Sequence, residues 1–352
     1  MDLIKIGFNE EIKSALAQLN KDSIIAGRVA LEHKRLYRVY TEFGELLCEV
    51  SGKLSFEAVG REDYPAVGDW VAVSPRLEEG KGTISAVLPR KSKFSRKAAG
   101  QTTEEQIVAA NVDTIFLVNS LNEDLNLRRI ERYLTLTWES GANPVILLTK
   151  SELSSLVEEK IAAVESVAFG VPVIAVSVHE NRGLEQLNDY LLPQKTIALL
   201  GSSGVGKSTL INFLLGYEKQ EVQTIREDDA KGRHTTTYRE MIVLPNGCVL
   251  IDTPGMRELQ LWNSSAGILE SFTDVEELAG NCRFRDCSHM EEAGCAVKKA
   301  IEDGELEKGR LNSYFKMNRE LAYLDRKQNK KAQSDEKKKW KNIQKTIKAK
   351  RK

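Results

Sequence analysis

A glycine-rich loop, Gly201-Ser-Ser-Gly-Val-Gly-Lys-Ser208, lies downstream of the segment Thr149-Lys-Ser-Glu-Leu153. The loop follows the apolar run Thr196-Ile-Ala-Leu-Leu200 and precedes the helix-competent Thr209-Leu-Ile-Asn-Phe-Leu-Leu215, the strand, loop and helix context that a phosphate cradle requires. In such a cradle backbone N–H groups converge on phosphate oxygens, a lysine places a cation on the β- and γ-phosphates, and a serine hydroxyl is offered to Mg²⁺. The Thr-Lys-Ser-Glu segment reads as a base-recognition turn. In a nucleotide switch of ordinary connectivity the phosphate loop comes first and the base turn late. The reversed order predicts a sheet whose connectivity has been rotated, with the second switch, Asp252-Thr-Pro-Gly255, at its C-terminal edge.

The rest of the pattern fits a mixed, multidomain chain. Thr114-Ile-Phe-Leu-Val118, Val145-Ile-Leu-Leu148, Val173-Ile-Ala-Val-Ser177, Thr196 to Leu200 and Val249-Leu-Ile-Asp252 are short, wholly apolar runs separated by helical patterns, which indicates a parallel sheet covered on both faces. From Ile24 to about Pro89 the runs are short and alternating, punctuated by Gly44, Gly52, Gly60, Gly68 and Gly82. That spacing suggests a closed barrel of about five strands, of OB type by preference and SH3-like as the alternative. Between them Arg90-Lys-Ser-Lys-Phe-Ser-Arg-Lys97 leads to Gly100 and reads as a linker. Residues 1–20 carry Ile12, Leu16 and Leu19 at helical spacing.

The candidate nucleotide residues follow from these motifs. The phosphate loop supplies Gly201, Ser202, Ser203, Gly204, Val205, Gly206, Lys207, Ser208 and Thr209. Asp252 and Ser208 are expected to serve Mg²⁺, and the Gly255 N–H to meet the γ-phosphate. In Gly232-Arg-His-Thr-Thr-Thr-Tyr238 the middle threonine, Thr236, is the expected switch ligand to Mg²⁺, with Thr235 and Thr237 in reserve; a Thr-rich edge strand is the bland alternative. Many switches orient water with a glutamine just past the second switch, but Met256 occupies that place. His234 is left as a group able to position or deprotonate water, or as an exposed loop histidine. At the base, Thr149 and Lys150 keep the usual pattern while Glu152 replaces aspartate, so the carboxylate that accepts from guanine sits one methylene further out. Ser177-Val178 resembles the turn whose backbone N–H meets guanine O6.

Cys282-x4-Cys287-x-His289-x5-Cys295 sets three thiols and an imidazole within fourteen residues. This set suits tetrahedral Zn²⁺ with no open position, hence a structural site. Arg283 and Arg285 lie between the ligands, available to phosphates or only to solvent. The net charge of zero hides a division: Arg326 to Lys352 holds thirteen Lys or Arg against Asp335 and Glu336, a net +11, so the preceding 325 residues carry −11. Such a tail draws affinity from counterion release on RNA, or is a solvated lysine tail. With 41% hydrophobic and 29% charged residues the composition excludes wholesale disorder and collagen. No run of ~18 apolar residues is present to span a bilayer, and Met1 to Asn20 lacks a signal-peptide core. A cytoplasmic protein without a membrane partner is expected, as a monomer.

Taken with Asp-Thr-Pro-Gly-Met-Arg-Glu258, Gly27-Arg-Val29, Val67-Gly-Asp-Trp-Val71 and Asn312-Ser-Tyr314, these motifs resemble the RsgA (YjeQ) family of circularly permuted ribosome-assembly GTPases, from roughly Ser23 to Tyr323. The resemblance implies an N-terminal OB-type β-barrel, a central α/β circularly permuted P-loop G domain and a C-terminal helical zinc-binding domain. The corresponding boundaries are an extension at 1–22, barrel at 23–92, GTPase domain at 93–264, zinc domain at 265–325 and basic tail at 326–352. It further implies GTP/GDP with Mg²⁺, one structural Zn²⁺, His234 as catalytic residue, and binding to the small ribosomal subunit and its rRNA late in maturation, with GTP hydrolysis stimulated by that subunit and coupled to release. Two rival functions stand beside it: a constitutive RNA-binding module with nucleotide as a structural ligand, and a P-loop kinase of a small molecule.

Overall fold

The computed structural model describes residues 1–20, 23–33, 35–97, 105–122, 125–217, 239–252, 265–290 and 292–326. The expectations placed on His234, Thr235, Thr236, Thr237, Gly255, Met256, Gly100 and the tail from residue 327 lie outside the described residues. Two compact units are distinguished: Met1–Arg96 with Glu105–Gln260, and Lys97–Glu104 with Leu261–Lys352.

The first unit opens with α1 (Glu10–Ala17), capped by Asn9 accepting from the Ile12 N–H; Ile12 and Leu16 are half-buried on it, and Leu19, also half-buried, follows in the turn beyond its end. Five strands follow: β1 (Ile25–His33), β2 (Leu36–Thr41), β3 (Gly44–Val50), β4 (Trp70–Arg76) and β5 (Lys81–Val87), with α2 (Gly52–Glu57) between β3 and β4. β2 and β3 bury alternate residues, and Tyr37, Val39, Leu46 and Cys48 join Val29, Val71, Val73 and Ile84 in one core. β1 pairs antiparallel with both β2 and β4, while β3 and β5 pair in parallel, so the barrel closes in the order 1-2-3-5-4-1. Of the two barrel types that the spacing allows, this five-stranded closure is the OB one.

After β6 (Lys93–Lys97) and β7 (Glu105–Ala110), which form a small sheet of their own, come β8 (Thr114–Ser120), α3 (Leu127–Ser140), β9 (Asn143–Thr149), α4 (Val157–Glu165), β10 (Val173–Ala175), β11 (Thr196–Leu200), α5 (Lys207–Leu215), β12 (Glu240–Val243) and β13 (Val249–Asp252). Local signals set α3: Asn126 accepts from the Arg129 N–H at its start, and Gly141, at φ +80°, ends it. The strands lie side by side in the order β10-β9-β8-β11-β13-β12, all parallel except β12. Read from β11 through β13 and then back to β8, this is a doubly wound sheet that begins with its phosphate strand; the chain instead enters at β8. The rotation expected from motif order is therefore present in the strand order.

β12 does not end the sheet. Its Glu240 lies opposite Leu31 of β1, which joins barrel and nucleotide half into eleven continuous strands. A second joint is the buried Arg28, whose Nε donates to Gly68 O (3.2 Å), Nη1 to Ile6 O, and Nη2 to Thr196 Oγ1 (2.8 Å) and Asn111 O (3.4 Å). Its guanidinium also lies 5.4 Å from the centre of the Trp70 ring. Burial pushes Arg28 down to about 10, countered by Asp113 and Asp69, and it remains charged at neutral pH. Gly68, at φ +93°, brings the barrel so close that a Cβ there would stand 2.2 Å from Ala110 O.

The second unit holds α6 (Ser265–Ser271), α7 (Thr273–Gly280), α8 (Ala296–Glu302) and α9 over residues 308–326. Ile268, Phe272, Val275, Val297, Ala300 and Leu311 are among its buried residues. Arg310 clasps Asp274 with two bonds of 2.7 Å, donates to Ser271 O and lies 4.6 Å from the Phe272 ring centre. Among the described residues no helix is long and apolar enough to cross a membrane.

Candidate functional site

The phosphate loop, base turn and Asp252 all lie at the carboxyl ends of β11, β9 and β13, the edge where open α/β sheets bind ligands. Steric necessity selects the loop's residues. A Cβ at Gly201 would stand 2.2 Å from Val118 O, and Gly204 and Gly206 take φ of +79° and +91°. Between them Val205 is sunk in the core, pinning the loop to the sheet. Lys207, the first residue of α5, donates from Nζ to Gly201 O at 2.7 Å and to Ser202 O, so its cation stands over the loop it belongs to. Ser202, Ser208 and Thr209 are half-buried, and Ser203 and Gly204 are exposed along the same loop.

The base turn is strapped to this loop across more than fifty residues of chain. Thr149 Oγ1 donates to Val205 O at 2.6 Å, with Asn119 O at 3.1 Å, and Lys150 Nζ donates to Gly204 O at 2.8 Å. Lys150 itself takes a left-handed backbone, φ +58°, which starts the tight turn Ser151–Leu153. Glu152 sits in that turn with its Oε2 buried and unpartnered among the described residues. The Ser177 N–H donates to Arg182 O at 2.9 Å, and its Oγ accepts from the Glu180 N–H. That N–H is thus occupied within its own turn, and Val178, half-buried against the core, is the neighbouring member of the pair.

Asp252 closes β13, buried, directly opposite Glu240. His234, Thr236 and Gly255 fall outside the described residues.

In the second unit Cys282, Cys287, His289 and Cys295 place their ligand atoms within 4.8 Å of one another. The Cys282 and Cys295 sulfurs are 3.9 Å apart, and His289 Nδ1 lies 3.6 Å and 3.5 Å from them. Tetrahedral zinc with Zn–S of about 2.3 Å and Zn–N of about 2.0 Å requires S–S and S–N edges of about 3.8 Å and 3.5 Å, so the cluster is compatible with zinc. A left-handed backbone at His289, φ +58°, turns the ring inward, and Cys295 caps α8, its sulfur accepting from the Lys298 N–H at 3.4 Å.

Sequence reasoning missed the joint between the barrel and this sheet. Arg28, Asn111, Asp113 and Thr196 carry no motif of nucleotide chemistry, although the Gly-Arg-Val and Val-Gly-Asp-Trp-Val segments that meet there are visible as patterns. Arg90, placed in a linker, is tied to the fully buried Asp69 by two bonds of 2.7 Å. Burial pushes the Asp69 carboxyl up against the pull of Arg90.

A P-loop, a base turn and a carboxylate-tipped strand on one edge of a sheet whose chain order is rotated define a circularly permuted P-loop GTPase. A family model for the RsgA GTPase matches residues 87–262. The chain is 48% identical to "Small ribosomal subunit biogenesis GTPase RsgA 1" of Oceanobacillus iheyensis over 93% of its length and 94% of that protein. It is 44% identical to "Small ribosomal subunit biogenesis GTPase RsgA" of Opitutus terrae over 97% and 96% of the two chains. Among solved structures, YjeQ from Thermotoga maritima matches with a TM-score of 0.62 at 28% identity, covering 85% of this chain and 99% of that one. YloQ, described as a circularly permuted GTPase, shares the fold with a TM-score of 0.59 at 23% identity, over 86% and 96%. The chain belongs to the RsgA GTPase family.

Proposed function

We propose that this GTPase binds the small ribosomal subunit and its rRNA late in the subunit's maturation, that the subunit stimulates hydrolysis of GTP to GDP and phosphate, and that hydrolysis is coupled to release. The names of the relatives supply the partner. The observation that carries the nucleotide reading is the strapping of the Thr149 and Lys150 turn onto Val205 and Gly204 of the phosphate loop, which holds base and phosphate sites in one frame.

Each residue then has a role. The N–H groups of Gly201 to Thr209 cradle the phosphates, and Lys207 leaves its carbonyl partners for the β- and γ-phosphates. Glu152 fits guanine: an acceptor buried without a partner matches the N1 and N2 donors of the base, and with the Ser177 N–H given to Arg182 O it is the Val178 backbone N–H that meets O6. Ser208, Asp252 and Thr236 are hard oxygen donors of the kind Mg²⁺ takes; the ion, when bound, neutralises charge on the β- and γ-phosphates. Gly255 contacts the γ-phosphate and His234 orients or deprotonates the attacking water. Zinc at the Cys₃His cluster is structural, leaving no position for chemistry. The protein acts as a cytoplasmic monomer, with boundaries at 22, 92, 264 and 325 between extension, barrel, GTPase domain, zinc domain and tail.

The test is hydrolysis of GTP and ATP with and without small subunits, with His234→Ala as the control. Slow GTP turnover raised strongly by the subunit and lost in the variant is the expected result. Subunit binding indifferent to nucleotide, with no stimulation, would replace this reading by a constitutive RNA-binding module.

A further inference from the structure

Asp252 of β13 lies opposite Glu240 of β12, Glu240 opposite Leu31 of β1, and Leu31 opposite Arg38 of β2. Side chains at opposed positions share a sheet face, so Arg38 of the barrel and Asp252 of the nucleotide half are the ends of one four-residue row. Two carboxylates directly opposite each other in such a row repel. Arg38 reaches past Leu31 to place Nη2 3.3 Å from Glu240 Oε1, while its Nε lies 3.8 Å from Glu45. Both partners are shielded in part, at 33% and 27% exposure.

We propose that Arg38 is a positioning residue for the magnesium end of the site, acting through Glu240. It draws the Glu240 carboxylate toward the barrel and balances its charge, so that Asp252 meets the cation without a second, uncompensated carboxylate beside it. Because Arg38 belongs to the barrel, any partner that shifts β2 against β12 alters how tightly the cation is held. The inference rests on the assignment of Asp252 to magnesium.

The measurement is the Mg²⁺ concentration that half-saturates retention of a fluorescent GDP analogue by the full chain, read from the dissociation rate. A unit charge acting on a divalent ion over roughly 8 Å of partly wet protein gives about three- to tenfold. Arg38→Ala is therefore expected to lower the half-saturating Mg²⁺ by that factor and Glu240→Gln to raise it. Arg38→Lys and the double Arg38→Ala/Glu240→Gln variant are expected to stay within about twofold of the parent chain, because the charges cancel. Loss of packing alone would move both single variants in the same direction, and that result, or an unmoved Arg38→Ala, overturns the inference. Asp252→Asn separates the two layers: if it leaves the Mg²⁺ requirement unchanged, the assignment of Asp252 to magnesium falls first.

Discussion

A buried carboxylate oxygen without a hydrogen bond demands an explanation, and Glu152 Oε2 is such an atom in a turn that faces the nucleotide edge. Hydrogen bonds to a charged group contribute about 1.5–3 kcal/mol each, and guanine offers two donors. Glu152→Ala is therefore expected to weaken GDP binding about a hundredfold or more while leaving any ADP binding unchanged, checked by titration with fluorescent nucleotides. A fall in both affinities would mean that the turn had collapsed instead. At Gly201 the argument is steric. Gly201→Ala forces a methyl group against Val118 O, a clash with backbone that no side-chain rotation relieves. Nucleotide binding is expected to be lost below detection in an equilibrium titration, since the cradle opens to make room.

Among the elements, the metal loop and the helices it joins stand or fall together. Cys282 follows α7 and Cys295 caps α8, so removing the metal releases both helix ends. Structural zinc contributes about 10–16 kcal/mol in small metal-dependent folds. One metal per chain by elemental analysis is expected, and chelation should remove helical circular dichroism of the second unit while GDP binding by the first survives. What was legible in the sequence follows the same division by locality. The phosphate loop and the Cys₃His set were readable because both depend on spacing within a few residues. The rotated connectivity was readable because a parallel sheet orders its motifs along one edge; the place of each strand in the sheet was not. Arg28, Gly68 and the pairing of Leu31 with Glu240 were not, since each joins segments far apart in sequence and leaves no local period. Arg90 misled for a related reason: a basic run looks solvated until its buried partner, Asp69, is placed beside it.

At the scale of the whole molecule the barrel is part of the nucleotide unit. Continuous strands from β10 to β4 and the Arg28 joint predict that barrel and nucleotide half unfold in one calorimetric transition, separate from the metal-dependent loss of the second unit. Arg28→Ala leaves Ile6 O, Asn111 O and Thr196 Oγ1 without their donor and takes from Gly68 O one of its two, the other being Asn111 Nδ2. It should lower the stability of that transition by about 3 kcal/mol or more. Arg28→Lys should recover little, because an ammonium cannot serve four acceptors from a planar fork. The pairing of Leu31 with Glu240 also has a meaning for synthesis. At about 5–20 residues per second, Leu31 leaves the translating ribosome roughly 10–40 s before Glu240 does. Throughout that interval the far half of β1, past its irregular register between Val29 and Leu31, has its second edge open. A nascent chain of this kind is therefore most exposed to wrong strand pairing at its barrel, and its phosphate loop gains its full sheet only after the sequence has run on to Asp252.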